Sequence, residues 1–329
     1  MTDLQWAAIV LGPAAIAWVV IFVLRRSRLA SRLADHPNER SLHDVPTPRI
    51  GGLGVMAGAL PFAAGCATPE LAAILGAALF LCILSLVDDV RGLPVQVRLP
   101  GHFVAAAIVV LVVMAPWDEP FATSIVKAMV AVVAIAWMTN LFNFMDGSDG
   151  LAGGMAAIGF GALAIAAAMT GRYPLAVVAA AVASASVGFL AHNLPPARVF
   201  LGDAGSIPLG FLAGALGLEG WMIGAWPLFF PVMVFAPFIA DASLTLARRA
   251  AGGEVLWKAH RTHAYQRLVL AGWSRRRLAA WAYALMLASV LAAFVLHRTE
   301  GATRTGIILV CTAAYLLLFI AIERRVRKS

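Results

Sequence analysis

Charged residues are scarce in this chain. They make up 13% of 329 residues, against 61% hydrophobic, whereas a soluble domain carries about 25% charged residues. That deficit excludes an ordinary soluble globular protein and, with a mean hydropathy of +0.86, points to a chain that repeatedly crosses a membrane. Cysteine is almost absent. Cys66, Cys82 and Cys311 are isolated in or beside apolar runs, without the spacing of a metal site, and they give no sign of a disulfide or redox centre. The sequence has no internal repeat. Its net charge of +8 is accounted for by a basic membrane-facing side and anionic lipid, so nucleic acid is not an expected partner.

What is present is a series of long apolar runs. Eleven candidate spans fall at about 5–24, 50–67, 71–87, 99–116, 123–142, 153–170, 174–191, 206–219, 224–246, 278–297 and 304–322, each near the ~20 residues needed to cross the hydrocarbon core. The eighth is short, but 207–247 is interrupted only by Glu219-Gly220 and accommodates two spans. Lys and Arg set the orientation. With the C-terminus inside, 21 of the 25 basic residues fall on inside segments, leaving Lys127, Arg172, Arg298 and Arg304 near the other face. The expected architecture is therefore a single all-α polytopic bundle of ten or eleven transmembrane helices, N-out and C-in. Its cytoplasmic loops are expected at 25–49, 88–98, 143–152, 192–205 and 247–277. The first run is not a cleavable signal, because its basic cluster Arg25-Arg26-Ser27-Arg28 follows the apolar stretch.

The polar clusters lie in the gaps, all on the predicted inner side. Asp88-Asp89 closes the third span. Two adjacent carboxylates repel, and a cation or nearby base relieves both; solvated acids at a helix end are the plain alternative. Asn140, Asn143, Asp146 and Asp149 recur every three residues, a polar stripe on one helix face that can bind a ligand or cation, or merely cap the helix. Asp203 sits between glycines before the eighth span, where it can give an oxygen to Mg²⁺ or act as an N-cap. His260 and His263 lack the further ligands of a zinc site and, beside Arg261 and Arg267, suit phosphate binding or proton handling. Asp241 is either functional or an ion-pair partner of Arg248. An acid-rich pocket beside basic loops suits phosphate chemistry, since Mg²⁺ binds through one or two carboxylates plus substrate phosphates. A cation- or proton-coupled transporter is the alternative. Transporters hold their sites near the bilayer midplane, whereas these acids gather at one face.

The order of motifs resembles the polyprenyl-phosphate N-acetylhexosamine-1-phosphate transferases, the MraY/WecA-type glycosyltransferase family 4, from about Pro37 to Gln266. The matching stretches are PTPRIGG at 46–52, Asp88-Asp89, NFMDGSDGLA at 143–152, NLPPARVFLGDAGS at 193–206 and the histidine loop. The resemblance implies an enzyme that moves an N-acetylhexosamine 1-phosphate from a UDP-N-acetyl sugar to undecaprenyl phosphate and releases UMP. It implies Mg²⁺, with Mn²⁺ as a substitute, held by Asp203 and Asp88. Asp88 or Asp89 would orient or deprotonate the lipid phosphate, and His260 and His263 would hold phosphate near the metal. Asn143, Asp146, Asp149 and Asn193 would line the nucleotide site, with Phe200 on the uracil and Arg49, Arg198 and Arg261 as substrate-binding cations. The short loop HRTHAYQ at 260–266 resembles the branch that starts O-antigen or other surface polysaccharides, where the sugar is often 6-deoxy. The resemblance places the protein in a bacterial inner membrane with its site on the cytoplasmic face, and is compatible with a homodimer.

Overall fold

The computed structural model describes residues 2–37, 45–115, 121–255 and 260–326; the predicted loops 25–49 and 247–277 lie in part outside them. The chain is a helix bundle. In order it forms α1 (Asp3–Leu24), α2 (Arg28–Arg32), strands β1 (Ala34–Asp35) and β2 (Thr47–Pro48), then α3 (Gly51–Ala64), α4 (Pro69–Arg91), α5 (Val95–Val113), α6 (Phe121–Phe144), α7 (Leu151–Met169), α8 (Tyr173–Asn193) and α9 (Asp203–Met222). There follow α10 (Phe229–Val234), α11 (Ala236–Ala251), α12 (Ala264–Leu270), α13 (Arg275–His297) and α14 (Gly301–Val326). The two strands form one short antiparallel ladder pairing Ala34 with Pro48 and Asp35 with Thr47.

Local chemistry sets the helix ends that matter. Thr68 caps α4 by accepting from the Leu71 N–H, and Pro69 occupies the first turn, where its missing N–H costs nothing. At the other end Gly92 adopts φ +68° and its N–H bonds the Asp88 carbonyl, the left-handed stop that glycine makes without steric cost. Pro94 follows. Asp88 and Asp89 are thereby fixed in the last helical turn of α4, so the predicted loop 88–98 reduces to three non-helical residues, 92–94. Ser274 caps α13 by accepting from the Arg277 N–H.

Each predicted span contains a helix or a broken pair of helices. Among the described residues eight helices are long and apolar enough to cross a membrane by themselves: α1, α4, α5, α6, α7, α8, α13 and α14. The other three predicted spans differ for physical reasons. α3 has 14 residues. The ninth span breaks at Phe235 into α10 and α11. α9 is of spanning length but is buried along nearly its whole course. It packs against α3, α4, α5, α6 and α7, so its surroundings are protein and its sequence can be glycine-rich and less apolar. The α3–α9 crossing needs glycine on both sides: a Cβ on Gly52 would strike the Gly205 backbone, and a Cβ on Gly205 would strike Gly52. The core contains large side chains such as Phe142, Phe160, Phe189, Phe211 and Phe238.

Candidate active site

Backbone pairing first brings two distant motifs together. The Phe200 N–H bonds the Pro48 carbonyl, and the Phe200 and Leu201 carbonyls accept from the Gly51 and Gly52 N–H groups. Segment 46–52 is thus stitched to segment 199–203, carrying Arg49 to the start of α9.

Four carboxylates then converge where α4 and α6 end and α9 begins. Asp88 accepts from the Leu93 N–H at 2.6 Å and from Arg98 Nη1 at 2.8 Å. The same Arg98 nitrogen lies 3.7 Å from Asp203 Oδ2. Arg49 Nη1 is 3.4 Å from Asp89 Oδ1, while Asp89 Oδ2 is buried without a hydrogen-bond partner. Asn143 Nδ2 donates to Asp203 Oδ1 at 2.8 Å and is 2.9 Å from Ser206 Oγ. Asp146, just beyond α6, is pushed well above the usual carboxylate range, chiefly by burial and then by the charges of Asp203 and Asp89, with an opposing hydrogen bond from the Gly202 backbone. Full ionisation would set four negative charges against the two guanidiniums Arg49 and Arg98. That leaves two negative charges in a poorly solvated place, where they are costly.

A divalent cation fits this imbalance. Among the described residues no three His, Cys, Asp or Glu side chains converge as a ready-made metal cage. Mg²⁺ needs none, because it keeps several waters and uses one or two carboxylates with substrate phosphate oxygens. The orphaned Asp89 oxygen and the all-oxygen acidic donors suit such an ion.

The remaining carboxylates of these motifs are placed differently. Asp149 is buried; its Oδ2 accepts from the Ala197 N–H at 3.0 Å and lies 3.6 Å from Arg275 Nη1. Asp241 accepts from the Ala264 and Tyr265 N–H groups at 2.8 and 3.1 Å and from Thr245 Oγ1 at 3.2 Å. Its Oδ1 lies 3.4 Å from His263 Nδ1. The predicted alternative of an Asp241–Arg248 pair is not formed; Arg248 and Arg267 both pair with Glu323 of α14, because Asp241 is turned toward the start of α12.

The histidine loop docks against the end of α6. His263 is buried and stacks on Phe144, with ring centroids 6.0 Å apart, and the Tyr265 hydroxyl donates to the Phe144 carbonyl at 3.0 Å. The His260 and His263 rings are 4.9 Å apart. Burial, then His263, Arg249 and Arg248, hold His260 down at about 4, so it is neutral at physiological pH. Asn193 is buried with its amide committed, its Oδ1 to the Gly150 N–H at 2.8 Å and its Nδ2 to the Val199 carbonyl at 2.9 Å. Phe200 is half-buried beside Arg49, and the side chains of Arg198 and Arg261 are exposed.

The structure thus gathers Arg49, Asp88, Asp89, Asn143, Asp146 and Asp203 in one cluster and sets His260 and His263 against its flank. Asp149 and Asn193 tie the adjoining loops. Sequence reasoning passed over Arg98. The only signal was a basic residue in the first turn of the helix after the acid pair. It also passed over Ser206 and Arg275, whose roles come from long-range contacts alone.

Residues 71–220 match the family described as glycosyl transferase family 4. The chain is 28% identical over 275 residues to a probable undecaprenyl-phosphate N-acetylglucosaminyl 1-phosphate transferase of Bacillus subtilis, covering 78% of this chain and 75% of the relative. It is 29% identical over 347 residues to a decaprenyl-phosphate N-acetylglucosaminephosphotransferase of Mycobacterium tuberculosis, covering 88% and 83%. A phospho-N-acetylmuramoyl-pentapeptide-transferase of Thermosynechococcus vestitus is 30% identical over 241 residues, covering 65% and 63%. The matched segment contains all four clustered carboxylates together with Arg98 and Asn143, and the protein is an enzyme whose residues 71–220, the part that carries the site, are similar to glycosyl transferase family 4.

Proposed function

We propose that the protein transfers an N-acetylhexosamine 1-phosphate from a UDP-sugar to undecaprenyl or a related polyprenyl phosphate, at the cytoplasmic face of a bacterial inner membrane, and so starts a lipid-linked surface glycan. The observation that carries this reading is the cluster of four carboxylates facing two arginines, with one buried Asp89 oxygen unpartnered. Such a site is built for a cation and phosphate. The names of the Bacillus and Mycobacterium relatives supply the acceptor class and make N-acetylglucosamine the first sugar to test; the short histidine loop puts 6-deoxy-N-acetyl sugars next.

In the reaction an oxygen of the lipid monophosphate attacks the sugar-bearing phosphorus. The bond from that phosphorus to the bridging oxygen breaks, and UMP leaves with the bridging oxygen and its electron pair. Such a transfer needs mainly positioning and charge stabilisation. Asp203 and Asp88 would hold Mg²⁺, or Mn²⁺ in its place. When bound, the ion would neutralise charge on the diphosphate. Asp89 orients the acceptor phosphate or takes its proton. Arg98 and Arg49 balance charge as the transfer proceeds, while holding Asp88 and Asp89 in place. Asn143 fixes the Asp203 carboxylate. Asn143, Asp146 and Phe200 line the nucleotide side, whose loop wall Asp149 and Asn193 hold closed. His260 and His263 contribute hydrogen bonds to phosphate from the flank, and exposed Arg198 and Arg261 draw the anionic donor to the rim.

The test is UMP release by the purified protein with undecaprenyl phosphate and Mg²⁺ across UDP-N-acetylglucosamine and 6-deoxy-N-acetyl donors. Release with one donor, abolished by EDTA and by Asp203→Asn, is expected. A folded protein that neither releases UMP from any donor nor binds one overturns the reading in favour of transport.

A further inference from the structure

A cavity of about 820 Å³ lies between α11, α12, α13 and α14. None of the four clustered carboxylates lines it. Its walls are apolar, with Phe238 and Leu244 on one side, Trp281 and Leu285 on another and Leu318 and Phe319 of α14 facing them. Asp241 reaches the wall, but its carboxylate is taken by two backbone N–H groups and Thr245.

This cavity explains an oddity of α14. The helix has 26 residues and none is buried. It is held to the bundle at few points: Glu323 pairs with Arg248 and Arg267, and Tyr315 hydrogen-bonds Ser289 of α13 at 2.5 Å. Along much of its inner face it meets space instead of side chains. The cavity is half open at the helix surface, and apolar walls of this extent are unfavourable when left to water. In a membrane the natural filler is a lipid chain.

The charge at one end narrows the occupant. Arg324 and Arg325, in the last turn of α14, also line the cavity. The neighbouring acid, Glu323, is engaged by two other arginines, and among the described residues no carboxylate pairs with Arg324 or Arg325. Arg325 lies 5.8 Å over the Trp273 ring, which Arg277 also approaches, at 4.3 Å. An apolar slot ending in uncompensated arginines and a tryptophan has the profile of a lipid site at the membrane boundary, where basic residues attract anionic headgroups. We propose that the cavity seats an anionic membrane phospholipid, its chain between α11, α13 and α14 and its phosphate at Arg324 and Arg325. The lipid would complete the packing of α14 and is distinct from the acceptor lipid at the four carboxylates.

The test uses the full-length protein in detergent, offered phosphatidylglycerol or phosphatidylcholine, with lipid retention read by native mass spectrometry and the unfolding midpoint read in parallel. Phosphatidylglycerol should be retained and should raise the midpoint more than phosphatidylcholine. The R324Q/R325Q double variant should lose that preference, a drop of roughly tenfold or more in phosphatidylglycerol retention. Ala282→Trp, which fills the slot and leaves both arginines, should reduce retention of either lipid. Equal retention of the two lipids by the unaltered protein, no retention at all, or retention unchanged in both variants overturns the proposal. Displacement of phosphatidylglycerol by undecaprenyl phosphate also overturns it and assigns the cavity to the acceptor. Because retention is read without turnover, this outcome is independent of whether UMP is released.

Discussion

Two groups of aspartates share the same end of the bundle and differ in how their charge is balanced. Asp149 and Asp241 are saturated. Asp149 accepts from one backbone N–H and Asp241 from two, and each faces a basic side chain, Arg275 or His263. Their charge is consumed in tying loop 147–150 to loop 194–198 and α11 to α12. Asp88, Asp89, Asp146 and Asp203 are not saturated as a group. Two arginines, one amide and the backbone N–H groups of Leu93 and Gly202 serve four carboxylates, the Asp89 Oδ2 is buried without a hydrogen-bond partner, and Asp146 is driven toward its protonated form. The first arrangement is what a fold needs, with buried polar groups satisfied locally. The second is tolerated where a ligand completes it. Residue type and proximity do not distinguish the two groups; the count of compensating donors does.

The sharpest break of this contrast is Asp203→Asn. Turnover should fall on the order of 10³-fold or more, since it removes a proposed cation-binding oxygen while preserving shape; initial rates of UMP release check it. Arg98→Gln should follow, with a loss on the order of 10²-fold, as a guanidinium shared by Asp88 and Asp203 disappears. The size of the rate loss against the shift in unfolding midpoint separates its role from simple support. Asp241→Ala should behave oppositely. It strands the Ala264 and Tyr265 N–H groups and costs about 3 kcal/mol of stability, seen as an unfolding midpoint that stays below that of the unaltered protein whether or not Mg²⁺ is present. Added Mg²⁺ should raise the midpoint of the unaltered protein and of Asp241→Ala, and leave Asp203→Asn nearly unmoved. The smallest effect concerns His260. Its folded value of about 4 lies below the unfolded 6.5, so in that window the unfolded chain takes the proton preferentially. Stability is therefore lost as pH falls from about 6.5 toward 4, and His260→Gln should flatten that part of the midpoint-versus-pH curve.

Much of the molecule is readable from one sequence because hydropathy and motif order are local properties. The runs at 71–87 and 153–170 announce α4 and α7, and Asp88-Asp89 must close a helix because Gly92 and Pro94 follow. The expectation that Asp88, Asp89, Asn143, Asp146 and Asp203 meet on one side came from alternating spans, and the structure joins those helix ends. The limits are equally physical. α9 reads as a short, weak span because its environment is other helices, and α14 reads as one of the most apolar although nothing buries it. Sequence hydropathy reports how well a helix would suit lipid, not whether lipid or protein surrounds it.

By itself, then, the sequence determined the order of the apolar segments, the approximate place where most of them stop, and the supply of acids, amides and histidines at those stops. Tertiary structure decided which acid meets which base. It gave Arg98 to Asp88 and Asp203, Arg275 to Asp149, and Glu323 to Arg248 in place of Asp241. It also left Asp89 Oδ2, within the cluster, without a hydrogen-bond partner. Such pairings span tens to hundreds of residues and depend on side-chain directions accurate to about an ångström, because hydrogen bonds and ion pairs fade steeply beyond contact; no spacing along the chain encodes that.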